Sequence, residues 1–185
     1  MTAIPGYSNR LFPIFLRSDL LTEDWVERAE ILCLECGAGC CYEAHPPISS
    51  ICYERLTRAG ISPDNFEFTG YTRLKTKPNG ECILLEDKKC RVHAYKPETC
   101  RAGPFTFDVH QDMIVMYLKH ETICPVVSLL KESPEAYRHQ YERAVDGITH
   151  LVQNLTDDEI SAVCQVDEPE TERVAEVIFR KDNFS

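Results

Sequence analysis

Cys33-Leu34-Glu35-Cys36-Gly37-Ala38-Gly39-Cys40-Cys41 packs four thiols into nine residues, and the rest of the chain has to be read around it. Two cysteines separated by two residues can turn both sulfurs into one metal site, a geometry shared by zinc and iron–sulfur proteins. Gly37 and Gly39 let the backbone turn tightly around whatever the thiols hold. Cys40 and Cys41 are adjacent, so without strain they point different ways. Either one of them turns outward to a second site, or the two share a polynuclear centre. An ordinary four-cysteine zinc site has no need of the extra neighbouring thiol.

Four more cysteines follow in irregular, Gly- and Pro-marked sequence, within Gly80-Glu81-Cys82, Cys90-Arg91-Val92-His93, Pro97-Glu98-Thr99-Cys100-Arg101 and Cys124-Pro125. The candidate metal and cofactor ligands are therefore Cys33, Cys36, Cys40, Cys41, Cys82, Cys90, Cys100 and Cys124. Eight thiols are enough for two four-coordinate sites, with the vicinal pair as the point where one hands over to the next. Of the ten cysteines, Cys52 and Cys164 remain; each falls on an apolar helical stripe and reads as a small buried hydrophobe. His93, three residues from Cys90, and His45, close behind Cys41, are the two histidines that could replace a thiol. Arg101 could donate to a thiolate or to a substrate anion. No catalytic residue can be assigned.

The bulk properties narrow the context. A chain of 185 residues with 43% hydrophobic and 27% charged residues buries a real core, which excludes general disorder. A formal net charge of -10 disfavours nonspecific binding to nucleic acid or to anionic membranes, so neither is expected as a partner. No stretch approaches the roughly 20 apolar residues that span a bilayer. The first ten residues do not read as a secretion signal, which makes a reducing, cytoplasmic setting the expectation and disfavours a disulfide framework. Phosphate-loop, dinucleotide-fingerprint, His-Glu-x-x-His and Gly-x-Ser-x-Gly signatures are all missing from the sequence.

The expected fold class is α+β: a metal-stabilised cysteine-cluster core with short strands and C-terminal helices. Leu21-Thr22-Glu23-Asp24 reads as a helix start, with Thr22 as cap, Leu21 packing on Val26, and the helix running to about Leu32. Ser49 or Ser50 caps a second helix ending near Gly60, with Ile51, Cys52, Leu56 and Ala59 on one face. Residues 67–85 are β-like around a turn at Pro78-Asn79-Gly80, and Phe105–Val109 with Met113–Leu118 forms a second β-like pair. Ser133-Pro134-Glu135 opens the clearest helix, and Thr156-Asp157-Asp158-Glu159 is a capping box for another. Val174–Phe179 adds a last strand or short helix. Residues 1–185 read as one domain, with a metal-binding core over 33–124 and a helical extension over 133–165.

The ordered set of cysteine segments resembles the YkgJ-like CxxCxxCC cysteine-cluster family, a zinc- or iron-chelating domain whose members are often labelled iron–sulfur oxidoreductases. The resemblance covers roughly Cys33 to Cys124 and implies that the eight cysteines named above form the metal-binding motif. One spacing departs from it, because three residues separate Cys36 from Cys40 where the family name has two. A related cysteine domain appears in flagellin lysine methylases. The resemblance thus implies an iron–sulfur centre with a redox or protein-modification accessory role and a protein as partner or substrate. The alternative is a noncatalytic zinc protein with a structural or interaction role, and a labile site for metal handling is a third.

Overall fold

The computed structural model describes residues 18–165 and 170–179, with side chains described from Trp25 onward. Helix α1 spans Ser18–Glu35, so it begins before Thr22 and carries Cys33 in its last turn, where an end near Leu32 had been expected. The side chains of Leu21 and Thr22 lie outside the described set. Trp25, Ala29 and Leu32 recur at helical spacing and pack on the main core, whereas Ile31 and Leu34 face solvent. Two crossed hydrogen bonds end the helix: Ala38 N donates to Cys33 O at 3.1 Å, and Gly37 N to Leu34 O at 3.2 Å. Gly37, with φ of 71°, supplies the left-handed residue that this Schellman arrangement requires.

Helix α2 (Ser50–Arg58) is capped by Ser49, whose hydroxyl accepts from Cys52 N at 3.1 Å. Cys52 and Leu56 form its buried face; Ile51 and Ala59, expected on that face, are exposed. Strands β1 (Phe66–Phe68) and β2 (Thr72–Leu74) pair antiparallel, as do β3 (Leu85–Glu86) and β4 (Lys89–Cys90). Helix α3 (Glu98–Ala102) then carries Cys100.

Strands β5 (Phe105–His110) and β6 (Met113–Lys119) form the expected hairpin, and helix α4 (Val126–Glu132) follows Cys124-Pro125 directly. Ser133 caps α5 (Pro134–Gln153), accepting from Ala136 N at 3.2 Å, and both halves of the Thr156 capping box are made at α6 (Asp157–Val163). Strand β7 (Thr171–Ile178) resolves the choice left open for the tail: it pairs antiparallel with β6, giving a three-stranded sheet in the order β5-β6-β7. The chain is accordingly α+β, with helices and short antiparallel strands.

Two hydrophobic clusters result. The larger joins Trp25, Phe105, Ile114, Met116, Val127, Leu130, Ala144, Ile148 and Val152, and so ties α1, α4 and α5 to the β5–β6 hairpin. The smaller gathers Cys52 and Leu56 of α2, Phe66, Leu74 and Leu85 of β1, β2 and β3, and Ile48, Leu84 and Val92 from the segments beside them. Of the candidate ligands, Cys124 packs on the larger cluster, and Cys41, Cys82 and Cys90 lie in or against the smaller.

Candidate metal centre

Cys33 and Cys36 stand one helical turn apart at the end of α1, and the Cys36 thiol lies 3.4 Å from Cys33 O. Gly37 and Ala38 are both left-handed, with φ of 71° and 56°, which reverses the chain. Ala38 then leads a short 3₁₀ turn, Gly39–Cys41, that brings Cys40 and Cys41 back beside the helix end. Ala38 is not a glycine, and holding it in this region costs roughly 1–2 kcal/mol.

Backbone pairing fetches the distant cysteines. Cys82 N donates to Cys41 O at 2.7 Å beside a bridge between Tyr42 and Glu81. Leu85 N donates to Cys82 O at 2.9 Å, and Leu85 pairs with Cys90 across β3 and β4. Cys124 N donates to His120 O at 3.0 Å just ahead of α4, the helix that packs on α1. Cys100 is held by the clamping of α3 at both ends. Arg55 reaches Glu98 at 2.9 Å, and the buried Gln140 donates to the carbonyls of Arg101 at 2.9 Å and Gly103 at 2.7 Å. These carbonyls are helix-end acceptors that would otherwise lack an intrahelical partner. The spans from Arg55 to Glu98 and from Gln140 to Arg101 are long, and nothing local in the sequence marks either pair.

The electrostatics of the thiols show which of them are neighbours. Burial pushes the Cys33 thiol up to about 11, and the charges of Cys40, Cys124 and Cys36 add to the rise. Cys40 and Cys41 share a hydrogen bond that lowers the first and raises the second; Lys119 and Lys96 also favour the Cys40 thiolate. Cys41 is raised further by burial and by Cys100 and Cys82. Cys100 is pushed up by burial and by Cys40, Cys82 and Cys90, although part of the residue still reaches solvent. Burial raises Cys82 and Cys124 as well, with smaller contributions from Cys90 and Cys40 on the first and from Cys40 and Cys36 on the second. Each of the eight thus acts on, or is acted on by, another.

The remaining candidates lie elsewhere. The Cys52 thiol, fully buried on α2, is pushed up to about 12 by burial and Glu98. Cys164, half-buried at the end of α6, rises to about 11 through burial and a hydrogen bond to Asp108. No other cysteine contributes to either shift. His93 is 3.5 Å from Glu30 on α1. His45 sits beside Arg73, and burial followed by that arginine lowers its pKa. Lys96 and Lys119 were not singled out by the sequence reading; the only local clue was the position of Lys96 between Cys90 and Cys100.

A family model described as "Putative zinc- or iron-chelating domain" matches residues 32–125, from the residue before Cys33 to the residue after Cys124. The chain belongs to the CxxCxxCC family. No curated protein and no solved structure matches it. The donor chemistry of this CxxCxxCC domain fits the description: all ten cysteines are free thiols, and thiolates select zinc and iron. Among the described residues, no three Cys, His, Asp or Glu side chains are already arranged to hold a metal ion. The thiols are gathered by the backbone without being closed on a common point. A cation among them would offset the mutual repulsion that raises their pKa values. No described helix is long and apolar enough to cross a membrane.

Proposed function

We propose that the eight cysteines hold an iron–sulfur centre and that the protein serves a redox or accessory role in modifying a protein partner or substrate. The observation that carries this reading is the crowding of the thiols. Cys40 and Cys41 are hydrogen-bonded neighbours, and three sequence-distant thiols, Cys82, Cys100 and Cys124, raise or are raised by one of the pair. A single zinc ion is satisfied by four thiolates, whereas eight suit more than one iron centre. Cysteine-held iron of this kind exchanges electrons at a potential set by surrounding charge, hydrogen bonds and solvent exposure. In this chain Lys96 and Lys119 would supply the compensating positive charge. Leu34, Tyr42 and Ile123, each next to a candidate ligand and each exposed, would offer apolar contacts to a protein partner.

A structural zinc role is favoured by one feature: Cys41, Cys82 and Cys90 pack on or within the smaller hydrophobic cluster, as fold-organising ligands do. Iron, sulfide and zinc quantification on anaerobically purified protein, with a visible spectrum, separates the two. Iron with sulfide and a coloured protein is the expected result. Colourless protein with stoichiometric zinc would replace the redox reading by the structural one.

The ligand assignment makes its own demand. Cys36→Ser, Cys41→Ser, Cys90→Ser and Cys100→Ser should each lose at least half of the bound metal, while Cys52→Ser and Cys164→Ser should retain it. Metal analysis of the six variants is the check. Equal loss from Cys36→Ser and Cys52→Ser would overturn the sorting.

A further inference from the structure

Arg101 and Arg143 stand together where α3 packs on α5. Gln140 of α5 fixes that contact by donating to the carbonyls of Arg101 at 2.9 Å and Gly103 at 2.7 Å. Further along α5, Gly147 passes close to α3, where a Cβ added to it would lie 3.7 Å from Glu98 O. Arg143 is three residues from Gln140 and four from Gly147, so it leaves α5 on the side that faces α3. Burial and the charge of Arg101 hold the Arg143 guanidinium below its ordinary range. Both residues are exposed.

Among the described residues, neither arginine makes an ion pair with a carboxylate. Glu98 of α3 is taken by Arg55 at 2.9 Å, and Asp146, three residues along α5 from Arg143, is not paired with it. In a chain with 30 acidic and 20 basic residues, two neighbouring arginines left without a carboxylate run against the overall charge. Departures of this kind gather at functional sites.

The pair is one end of a positive patch that reaches the thiols. Burial, Lys96 and Arg143 all lower the pKa of His93, against the pull of Glu30 at 3.5 Å. Lys96 in turn acts on Cys33, Cys40 and Cys100. Arg101 directly follows Cys100, but successive residues of a helix do not face each other. The lysine beside Cys100 is Lys96, whereas the charge of Arg101 is felt by Arg143. Tyr95, exposed in the short turn before Lys96, adds an aromatic surface to the patch.

We propose that Arg101 and Arg143, with His93 and Lys96 beside them, dock a short acidic segment of the protein partner and seat it next to the cysteine centre. This rests on the reading that the protein works on or with another protein. Guanidinium groups pair their N–H donors with the two oxygens of a carboxylate, which gives direction as well as attraction. The patch is small against a net charge of -10, so it accommodates a few carboxylates and not the long phosphate run of a nucleic acid. Attraction of this kind steers encounter and weakens as salt rises.

Calorimetric titration of the holo protein at low salt, with a tetraglutamate peptide and separately with pyrophosphate, tests the proposal. The peptide should bind, and Arg101→Glu/Arg143→Glu should weaken it at least about tenfold. Lys75→Glu/Lys88→Glu makes the same change of net charge at two exposed lysines outside the patch and should weaken it less than about twofold. Arg143→Gln leaves the Gln140 contacts with α3 intact and should alone weaken binding about threefold, so the outcome does not depend on how well the double reversal folds. Equal weakening by the two double variants would reduce the effect to net charge and overturn the site. Pyrophosphate binding without peptide binding would overturn the acidic segment in favour of a phosphate ligand, and binding of neither would overturn the site altogether. Iron, sulfide and zinc are quantified on the same samples. An iron–sulfur protein that fails to bind the peptide loses only the docking surface, whereas a zinc protein that binds it loses only the redox reading.

Discussion

Stripping the metal from the reduced protein should abolish hydrogen-exchange protection over residues 36–100 while leaving α5 largely protected. The smaller hydrophobic cluster is built on strands of three residues in β1 and β2 and two residues in β3 and β4. Two-stranded pairs of that length are not independently stable in water. With Cys41, Cys82, Cys90 and Cys100 as the proposed ligands, metal binding would close the loops that apolar packing alone holds poorly. A site absent from the unfolded chain turns metal affinity into folding free energy, on the order of 10 kcal/mol for a thiolate-bound structural metal. The larger cluster has its own support in the 20-residue α5 and the three-stranded sheet. Exchange measured on holo protein and on protein stripped under reducing conditions should therefore separate the two halves. Unchanged protection over 36–100 after complete metal loss would sink the structural role and leave a peripheral redox or metal-transfer site.

What could be read in the sequence follows from how local each signal is. Ser133-Pro134-Glu135 and the Thr156 capping box are complete within four residues, and both helices start where those signals place them. The β5–β6 hairpin likewise declares itself through two β-rich runs, joined by the two residues Gln111 and Asp112. The end of α1 lies later than expected: Cys33 is still helical, and the stop is the left-handed Gly37, two residues beyond Glu35. Helix α4 was not anticipated because Val126-Val127-Ser128-Leu129-Leu130 is too short to show helical periodicity, and all four apolar residues are buried. Ile51 and Ala59 fit a helical stripe by spacing, yet only Cys52 and Leu56 meet the core; α2 buries a narrower face than its pattern suggests. For the candidate centre, the eight cysteines stood out by motif; Cys52 is the core residue expected, fully buried in the smaller cluster, whereas Cys164 is only half-buried at the end of α6 and belongs to neither cluster. The arrangement of the eight was not legible. It depends on the Cys41–Cys82 hydrogen bond, on the α1–α4 packing and on the clamping of α3, all of which join residues far apart in sequence.

The clamp on α3 gives the second large expected effect: Arg55→Leu should destabilise the protein by roughly 3–5 kcal/mol, the usual cost of leaving one member of a buried ion pair without its partner. The Glu98 side chain is only 4% exposed and lies 2.9 Å from the Arg55 guanidinium, which also reaches Lys96 O and the Cys52 sulfur, each at 3.3 Å. Among the described residues, the second Glu98 oxygen has no hydrogen-bond partner, so loss of Arg55 leaves the whole carboxylate without its cation in the protein interior. Had the arginine served only as surface charge, its removal would cost less than about 1 kcal/mol. The double variant Arg55→Leu/Glu98→Gln distinguishes the ion pair from simple loss of packing. Replacing the stranded carboxylate by a neutral amide should recover a large part of the stability, whereas a packing defect would remain. Because Glu98 begins the five-residue helix that carries Cys100, Arg55→Leu should also weaken metal retention, and the double variant should restore it in part. Urea unfolding of holo wild type, both single variants and the double variant measures the coupling. Additive losses across the cycle would mean that Arg55 and Glu98 act independently, and the account of how Cys100 is positioned would have to rest on Gln140 alone.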